Sequence, residues 1–193
     1  MKISRKFYQQ PTLEVARQLL GKYLVREHTE GVTIGRIVET EAYIGPDDKA
    51  CHASKGRTLR TKIMFGNPGY AYVYLIYGFH HMLNIVTEQV DFPAAVLIRA
   101  VEPLAGIELM QARRGTSERR NLCNGPGKLC QAFAIDRALN GSDLCGPPLY
   151  VEDRGESVPK VAKTPRIGVD YAGHWQHKLW RFIVKDNGFV SKR

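Results

Sequence analysis

The chain has 193 residues, of which 44% are apolar, and this suits one domain with a sizeable core. Lys and Arg number 28 against 19 Asp and Glu, so the net charge of +9 favours nucleic acid or an anionic membrane surface as partner. The four cysteines form no CxxC pair, which excludes a small cysteine-dense scaffold and favours free thiols. The polar N-terminus MKISRKFYQQ has no signal-peptide pattern, so we expect a cytoplasmic protein.

The N-terminal part is predicted to form a short helix and then a β-hairpin. Apolar residues at helical spacing between Pro11 and Gly21 indicate the helix, and residues 22–27 and 33–43 read as strands. The second strand carries Glu39 and Glu41, which share a face because strand side chains alternate. Such a pair could supply a general base. The alternative, commoner for two glutamates in a sheet, is pairing with arginines.

A polar, basic segment follows at residues 45–67. Segments of this length without obvious structure are usually functional or disordered. It is interpreted either as a solvated loop or as an arm that follows the phosphates of a nucleic acid. Its charged or titratable residues include His52, Lys55, Arg57, Arg60 and Lys62.

Residues 70–84, YAYVYLIYGFHHMLN, are rich in tyrosine and β-branched residues, the composition of a strand. Tyr70, Tyr72 and Tyr74 would line one face of that strand. A turn at Gly78 would place Tyr77 near a hairpin tip. The strand is either an ordinary core strand or a stacking surface for a flat ligand.

The rest of the chain is predicted to alternate strands and helices. The strand at 94–101 is apolar except for Arg99, and a charge there needs a partner or a function. Arg99 is therefore a candidate to orient one of the two glutamates. Further strands are predicted at 81–88, 149–153 and 180–185, and helices at 102–114 and 125–136.

Metal and phosphate-loop motifs fail on inspection. The histidines form no His-Glu-x-x-His pattern, and Cys51-His52 has no second pair at zinc-finger spacing. Leu129 follows Gly127-Lys128 where a phosphate loop needs Ser or Thr. We expect no metal and no cofactor. What remains is a combination of aromatic residues and positive charge, which is how proteins hold unpaired bases and bases pulled out of a duplex.

Several stretches together resemble the alkyladenine DNA glycosylases, also called 3-methyladenine DNA glycosylases of the mammalian type. The pairing of ETEAY with YVYLIYG is the most specific part of the resemblance, which spans nearly the whole chain. Gly127 departs from it, since relatives often have serine there. The matching stretches are RQLLGKYLVR (17–26), RIVETEAYIGPDDKACH (36–52), YVYLIYG (72–78) with Asn84, VLIRAVEPL (96–104), NGPGKLCQAFAID (124–136), RIGV (166–169) and RF (181–182).

The resemblance implies a single mixed α+β domain over residues 1–193, with a curved antiparallel sheet, flanking helices and a hairpin that inserts into DNA. It implies a monofunctional glycosylase that flips 3-methyladenine, 7-methylguanine, hypoxanthine or ethenoadenine out of duplex DNA and starts base excision repair. Such an enzyme would act as a monomer and would not associate with a membrane. It would be found in the cytoplasm, associated with the nucleoid, in a bacterium, or in the nucleus of a eukaryote.

The resemblance also implies residue roles. Glu41 would activate water, helped by Arg99 and by the backbone carbonyl of Val169. Tyr77 would be the wedge that enters the duplex, and Asn84 would screen purines. The flipped base would lie between Tyr43 and His52 on one side and Tyr74 on the other, and phosphate contacts fall to Arg57, Arg60 and Lys62.

Two alternatives stay open at this point. One is a bifunctional glycosylase and lyase that uses a lysine such as Lys62 or Lys128. The other is a lesion-recognition or RNA-binding module without catalysis, which the charge and the stacking residues alone would also suit.

Overall fold

A computed structural model describes residues 1–157 and 160–191, and within them eight strands form one open antiparallel sheet. The strands are β1 (Tyr23–His28), β2 (Gly31–Ile44), β3 (Ala71–Ile76), β4 (His80–Val86), β5 (Ala94–Ala105), β6 (Leu149–Glu152), β7 (Val161–Thr164) and β8 (Arg181–Val184). Their order is β3-β4-β5-β2-β1-β6, with β8 pairing with both β2 and β7. The mixed α+β class and the antiparallel sheet predicted from the sequence are confirmed.

Strand β2 is the centre of this sheet and carries both glutamates. It pairs with β5 along one edge, and with β1 and then β8 along the other. The register with β5 shifts between Ile37 and Thr40, a β-bulge that bends the strand. The middle of β2 is buried on both faces, so its polar side chains need partners inside the protein.

The two faces of β2 have different surroundings. Thr40 points to the helical side, where its hydroxyl donates a 2.8 Å hydrogen bond to the carbonyl of Ala16, and the main core lies on this side. Glu39 and Glu41 point to the opposite face, as the alternation of strand side chains predicts. The candidate site thus lies across the sheet from the main core.

The helices are short: α1 (Arg5–Tyr8), α2 (Thr12–Gln18), α3 (Ile107–Arg114) and α4 (Pro126–Ala132). Pro126 occupies the first turn of α4, as predicted, but this helix ends before Ala134, whose φ of +46° lies in the left-handed region. Among the described residues, no helix has both the length and the apolar character that a bilayer crossing requires.

The prediction of a helix over residues 102–114 is wrong for its first turn. Residues 102–105 continue β5, and α3 starts only at Ile107. Glu102 pairs with Arg36 across the β2–β5 ladder, and a residue before proline disfavours the helical conformation, so Glu102-Pro103 remains extended. Gly106 makes the transition at φ +70°, where a Cβ would lie 2.4 Å from the carbonyl oxygen of Val32.

Candidate active site

The carboxylate of Glu41 has no exposed surface and is held by three donors. Oε2 accepts the hydroxyl of Tyr43 at 2.9 Å and Nη1 of Arg99 at 3.3 Å. Oε1 accepts the backbone N–H of Ile167 at 2.7 Å, which leaves acceptor capacity on that oxygen. These contacts bring Arg99 to Glu41, as the sequence predicts.

Tyr43 and Arg99 are electrostatically matched to this carboxylate. Burial, followed by the charge of Glu41, raises the pKa of Tyr43 well above its ordinary value of 10.0. The phenol therefore keeps its proton and donates a hydrogen bond to the carboxylate. Burial acts to lower the pKa of Arg99, but the charges of Glu41 and Glu39 outweigh it and leave that pKa raised. Both neighbours therefore donate hydrogen bonds to the Glu41 side chain.

Glu39 is buried beside Glu41 but is more fully occupied. It accepts Nε of Arg99 at 3.0 Å and Nε of Arg181 at 2.6 Å. Its remaining bonds come from Ser191, whose backbone N–H donates at 2.7 Å and whose hydroxyl donates at 2.8 Å. This is the arginine pairing foreseen as the commoner case, and it favours a structural role for Glu39.

A second buried ion pair holds the loop that carries the Ile167 donor. Arg166 binds Asp48 in a bidentate manner, with nitrogen–oxygen distances of 2.6 and 2.8 Å, and neither side chain is exposed. The guanidinium also lies 4.8 Å from the ring centroid of Tyr43. The loop places Val169 at the groove, where its carbonyl accepts the N–H of Ala172 at 2.9 Å and keeps a second lone pair.

Aromatic residues line the cavity in front of this cluster. His52 and Tyr74 have ring centroids 4.5 Å apart at 68°, and Tyr72 and Tyr74 are 5.1 Å apart. Nδ1 of His52 lies 2.9 Å from the hydroxyl of Tyr72, which fixes the orientation of the imidazole. Burial, then the charges of Arg60 and Lys55, lowers the pKa of His52 to about 4, so this ring is neutral at pH 7.

The cavity has an open outer part and a narrow inner end. The outer groove has a volume of about 610 Å³, within the range of small-molecule sites. It is lined in part by Tyr43, His52, Tyr74, Arg99 and Val169. The inner end, about 20 Å³, shares Tyr43, His52 and Tyr74 with the groove. Arg99 and the predicted base-binding residues therefore meet at one cavity, and Glu41 lies behind its wall, bonded to Tyr43, Arg99 and Ile167.

Asn84 lies at the inner end of the cavity. It is 3% exposed, and its Nδ2 donates a 3.1 Å hydrogen bond to the carbonyl of Tyr72 on the neighbouring strand. Met64 and Ala95 line the same inner end. The amide is thus fixed at the bottom of the cavity, where it would meet the edge of a planar ligand.

The hairpin tip between β3 and β4 presents two exposed aromatic side chains. Tyr77 is 81% exposed and Phe79 is 69% exposed. Tyr77 and Gly78 both have positive φ, +50° and +78°, as a type I′ turn requires. Tyr77 also lines the groove. The predicted position of Tyr77 at a hairpin tip is confirmed.

The three basic residues assigned to phosphates are all exposed but differ in surroundings. Arg57 pairs with the exposed Asp91 at 3.2 Å, and Lys62 opens a short 3₁₀ helix. Arg60 instead lies 5.0 Å from the ring centroid of Tyr74 and lines the groove. The guanidinium of Arg60 is therefore beside the base-binding wall rather than on a separate surface.

Three groups at the site were not found from the sequence. The Ile167 donor is a backbone group and leaves no side-chain signal. Tyr171 lines the groove and is 71% exposed, yet it lies in a segment without a recognisable period. Asp48 is remote from Arg166 in sequence. Within 1–157 and 160–191, no cluster of three His, Cys, Asp or Glu side chains could hold a metal ion.

Comparison with known proteins identifies the family. The sequence model of the methylpurine-DNA glycosylases matches residues 6–188. The chain belongs to this family. A protein of Methanocella arvoryzae is 58% identical over 193 residues, covering 99% of this chain and 96% of that protein. A protein of Alkaliphilus oremlandii is 50% identical over 202 residues, covering all of both chains. Both are named provisionally as 3-methyladenine DNA glycosylases.

Membership of this family confirms the resemblance noted in the sequence. The protein is a hydrolase of the DNA N-glycosylase class, and its substrate is DNA. The individual roles of Glu41, Arg99, Tyr77 and the base-binding residues remain predictions, as does the extent of the domain over residues 1–193.

Proposed function

We propose that this glycosylase excises damaged purines from duplex DNA by hydrolysing the N-glycosidic bond of an extruded nucleotide. The observation that carries the proposal is the Glu41 carboxylate, which is buried behind the wall of an aromatic groove and bonded to Tyr43, Arg99 and Ile167. Each of these three residues also lines the groove. The groove is therefore backed by a carboxyl group positioned to act as a general base.

In the proposed reaction, Glu41 takes a proton from water while the water oxygen forms a bond to C1′ of the deoxyribose. The bond between C1′ and the base breaks, and its electron pair leaves with the base. Acceptor capacity remains on Oε1 of Glu41 and on the carbonyl of Val169, which suits two-point positioning of the water. Arg99 orients the carboxylate through its hydrogen bond from Nη1.

The base would be clamped between Tyr74 and the pair Tyr43 and His52, and it would have to part the rings of His52 and Tyr74, whose centroids lie 4.5 Å apart. Stacking on an aromatic ring contributes about 1–3 kcal/mol per base, comparable to the few kcal/mol needed to extrude a nucleotide. Tyr77 would fill the gap left in the duplex. Asn84, at the inner end, would meet the 2-amino group of guanine and so screen purines.

The groove suits lesions that leave easily. Alkylation at N3 of adenine or N7 of guanine makes the base cationic, so it stacks well on tyrosine and leaves as a neutral molecule. Hypoxanthine and ethenoadenine need a proton to leave equally well. The neutral state of His52 at pH 7 makes it unsuited to supply that proton. We therefore expect faster excision of 3-methyladenine and 7-methylguanine than of the neutral lesions.

The test is Glu41→Gln, which keeps the shape of the side chain and removes the base. We expect lesion DNA to bind as before, while base release measured by chromatography under single-turnover conditions falls by about 10²–10⁴-fold. Glu108→Gln, the same change at an exposed position of α3, serves as control and should leave release unchanged. Retained excision by Glu41→Gln would reject the assignment.

The lyase alternative has no support from the site. Nζ of Lys128 donates to Oδ1 of Asn124 at 2.9 Å, and the charged residues that line the groove are arginines. A Schiff base trapped with borohydride would restore this alternative. Family membership likewise favours the enzyme over a non-catalytic binding module.

A further inference from the structure

We infer that Ser191, near the C-terminus, is a positioning residue of the active site and acts on Glu41 through Glu39 and Arg99. This inference rests on the proposed role of Glu41 as the base. Ser191 is 8% exposed and lies 152 positions from Glu39 in sequence, yet two of its atoms bind that carboxylate. The C-terminal segment is thereby connected to the catalytic cluster.

The connection consists of a short series of hydrogen bonds. The N–H and the hydroxyl of Ser191 donate to opposite oxygens of Glu39, at 2.7 and 2.8 Å. Glu39 accepts Nε of Arg99 at 3.0 Å, and Nη1 of the same guanidinium reaches Glu41 at 3.3 Å. One planar guanidinium therefore bridges the two carboxylates.

The geometry explains why Glu39 has to be held. A guanidinium is rigid, so the direction in which Nη1 of Arg99 points is set by where its Nε is bound. Rotation of the Glu39 carboxylate would turn Arg99 and alter its contact with Glu41. Ser191 opposes that rotation because it binds both carboxylate oxygens at once.

Arg181 also binds Glu39 and Ser191. Its Nε donates to Glu39 at 2.6 Å, and its Nη2 donates to the carbonyl of Ser191 at 3.4 Å. Two carboxylates and two arginines make this buried cluster electrically balanced, which a low-dielectric interior requires. Loss of one neutral hydrogen bond from Ser191 would thus misorient the charges without leaving any of them unpaired.

The experiment compares Ser191→Ala with Ser191→Thr. The alanine variant loses the hydroxyl bond but keeps the backbone bond, and we expect its single-turnover excision rate to fall by roughly tenfold, because small misplacements of a catalytic group cost up to about 100-fold. The threonine variant keeps a hydroxyl and should recover most of the rate. Affinity for lesion DNA should be unchanged in both, since Ser191 does not line the groove.

The matched control is Asn187→Ala, which alters the same C-terminal segment. Nδ2 of Asn187 donates to Glu102 at 3.3 Å rather than to Glu39, so this variant should excise at the parental rate. A Ser191→Ala variant with the parental rate, or an equal rate loss in Asn187→Ala, would overturn the inference. Inclusion of Glu41→Gln separates the two claims, because an active Glu41→Gln defeats the proposed function itself, whereas an inactive one leaves Ser191 to be judged alone.

Discussion

The carboxylate cluster behind the groove and the hairpin tip at its edge differ in almost every physical respect. Glu39, Glu41 and Asp48 are completely buried and each meets two or more donors. Tyr77 and Phe79 are mostly exposed, and a turn with positive φ holds them out from the sheet. The residues proposed to act in the reaction are paired inside the protein, whereas the aromatic residues proposed to meet DNA are exposed.

The largest expected difference between the two regions is in how much an ion pair contributes to the free energy of unfolding. Asp48→Asn removes the charge partner of the buried Arg166, and we expect the free energy of unfolding to fall by about 3–5 kcal/mol. Urea denaturation at pH 7 measures it. The loop with the Ile167 donor would loosen as well, so excision should slow.

The matched control is Asp91→Asn, which breaks the exposed pair with Arg57 by the same change of side chain. An exposed pair contributes about 0–1 kcal/mol, so stability should hardly change. Similar losses for the two variants would contradict the contrast between a buried and an exposed region.

His52 lies at the boundary of the two regions and makes stability depend on pH. The pKa of His52 is about 4 in the folded protein and about 6.5 in an unfolded chain. Between these values the unfolded state binds more protons, so stability rises with pH across this window and is lost as pH falls from 6.5 to 4. The full loss is at most about 3 kcal/mol.

Replacement of this ring by an amide removes the titrating group. His52→Gln should therefore lose less stability between pH 6.5 and 4 than the parent, as measured by urea midpoints at several pH values. His177→Gln, at an exposed position, is the control and should follow the parental curve. A parental slope in His52→Gln would show that another group carries the dependence.

The smallest change in stability is expected at the hairpin tip, where a residue suited to binding DNA is unfavourable for the backbone conformation. Tyr77 is a bulky residue at φ +50°, and asparagine tolerates this conformation better. Tyr77→Asn should raise stability by up to about 1 kcal/mol. It should weaken binding to lesion duplex roughly tenfold to a hundredfold, because a stacking aromatic ring contributes about 1–3 kcal/mol.

Phe79→Asn sharpens this test, since Phe79 shares the tip but does not have a positive φ. Phe79→Asn should weaken binding to DNA without raising the free energy of unfolding. If Tyr77→Asn binds duplex as tightly as the parent, the wedge role is removed.

Local sequence patterns were sufficient to predict the position of many residues of the site. The alternation of strand side chains placed Glu39 and Glu41 on one face, and the turn at Gly78 placed Tyr77 at a tip. The resemblance to known glycosylases brought His52 and Tyr74 into the same cavity. These features depend on neighbours in sequence or on recognisable motifs, so a sequence contains them.

Contacts between segments that are distant in sequence could not be predicted from local patterns. Asp48 and Arg166 are 118 positions apart, and Glu39 and Ser191 are 152 apart, and in neither case do the residue types indicate the partner. The first turn of the predicted helix at 102–114 failed for a related reason, because pairing with β2 outweighed the helical spacing of the apolar residues.

Gly127 has a mechanical consequence for the hairpin. A Cβ at this position would lie 2.9 Å from the ring of His80, so the first turn of α4 packs directly against the first residue of β4, next to the hairpin tip. The hairpin is therefore supported close to its tip, because His80 pairs with Ile76 at the last position of the ladder before the turn. A larger side chain at residue 127 would push on His80 and so displace the end of the hairpin that carries Tyr77.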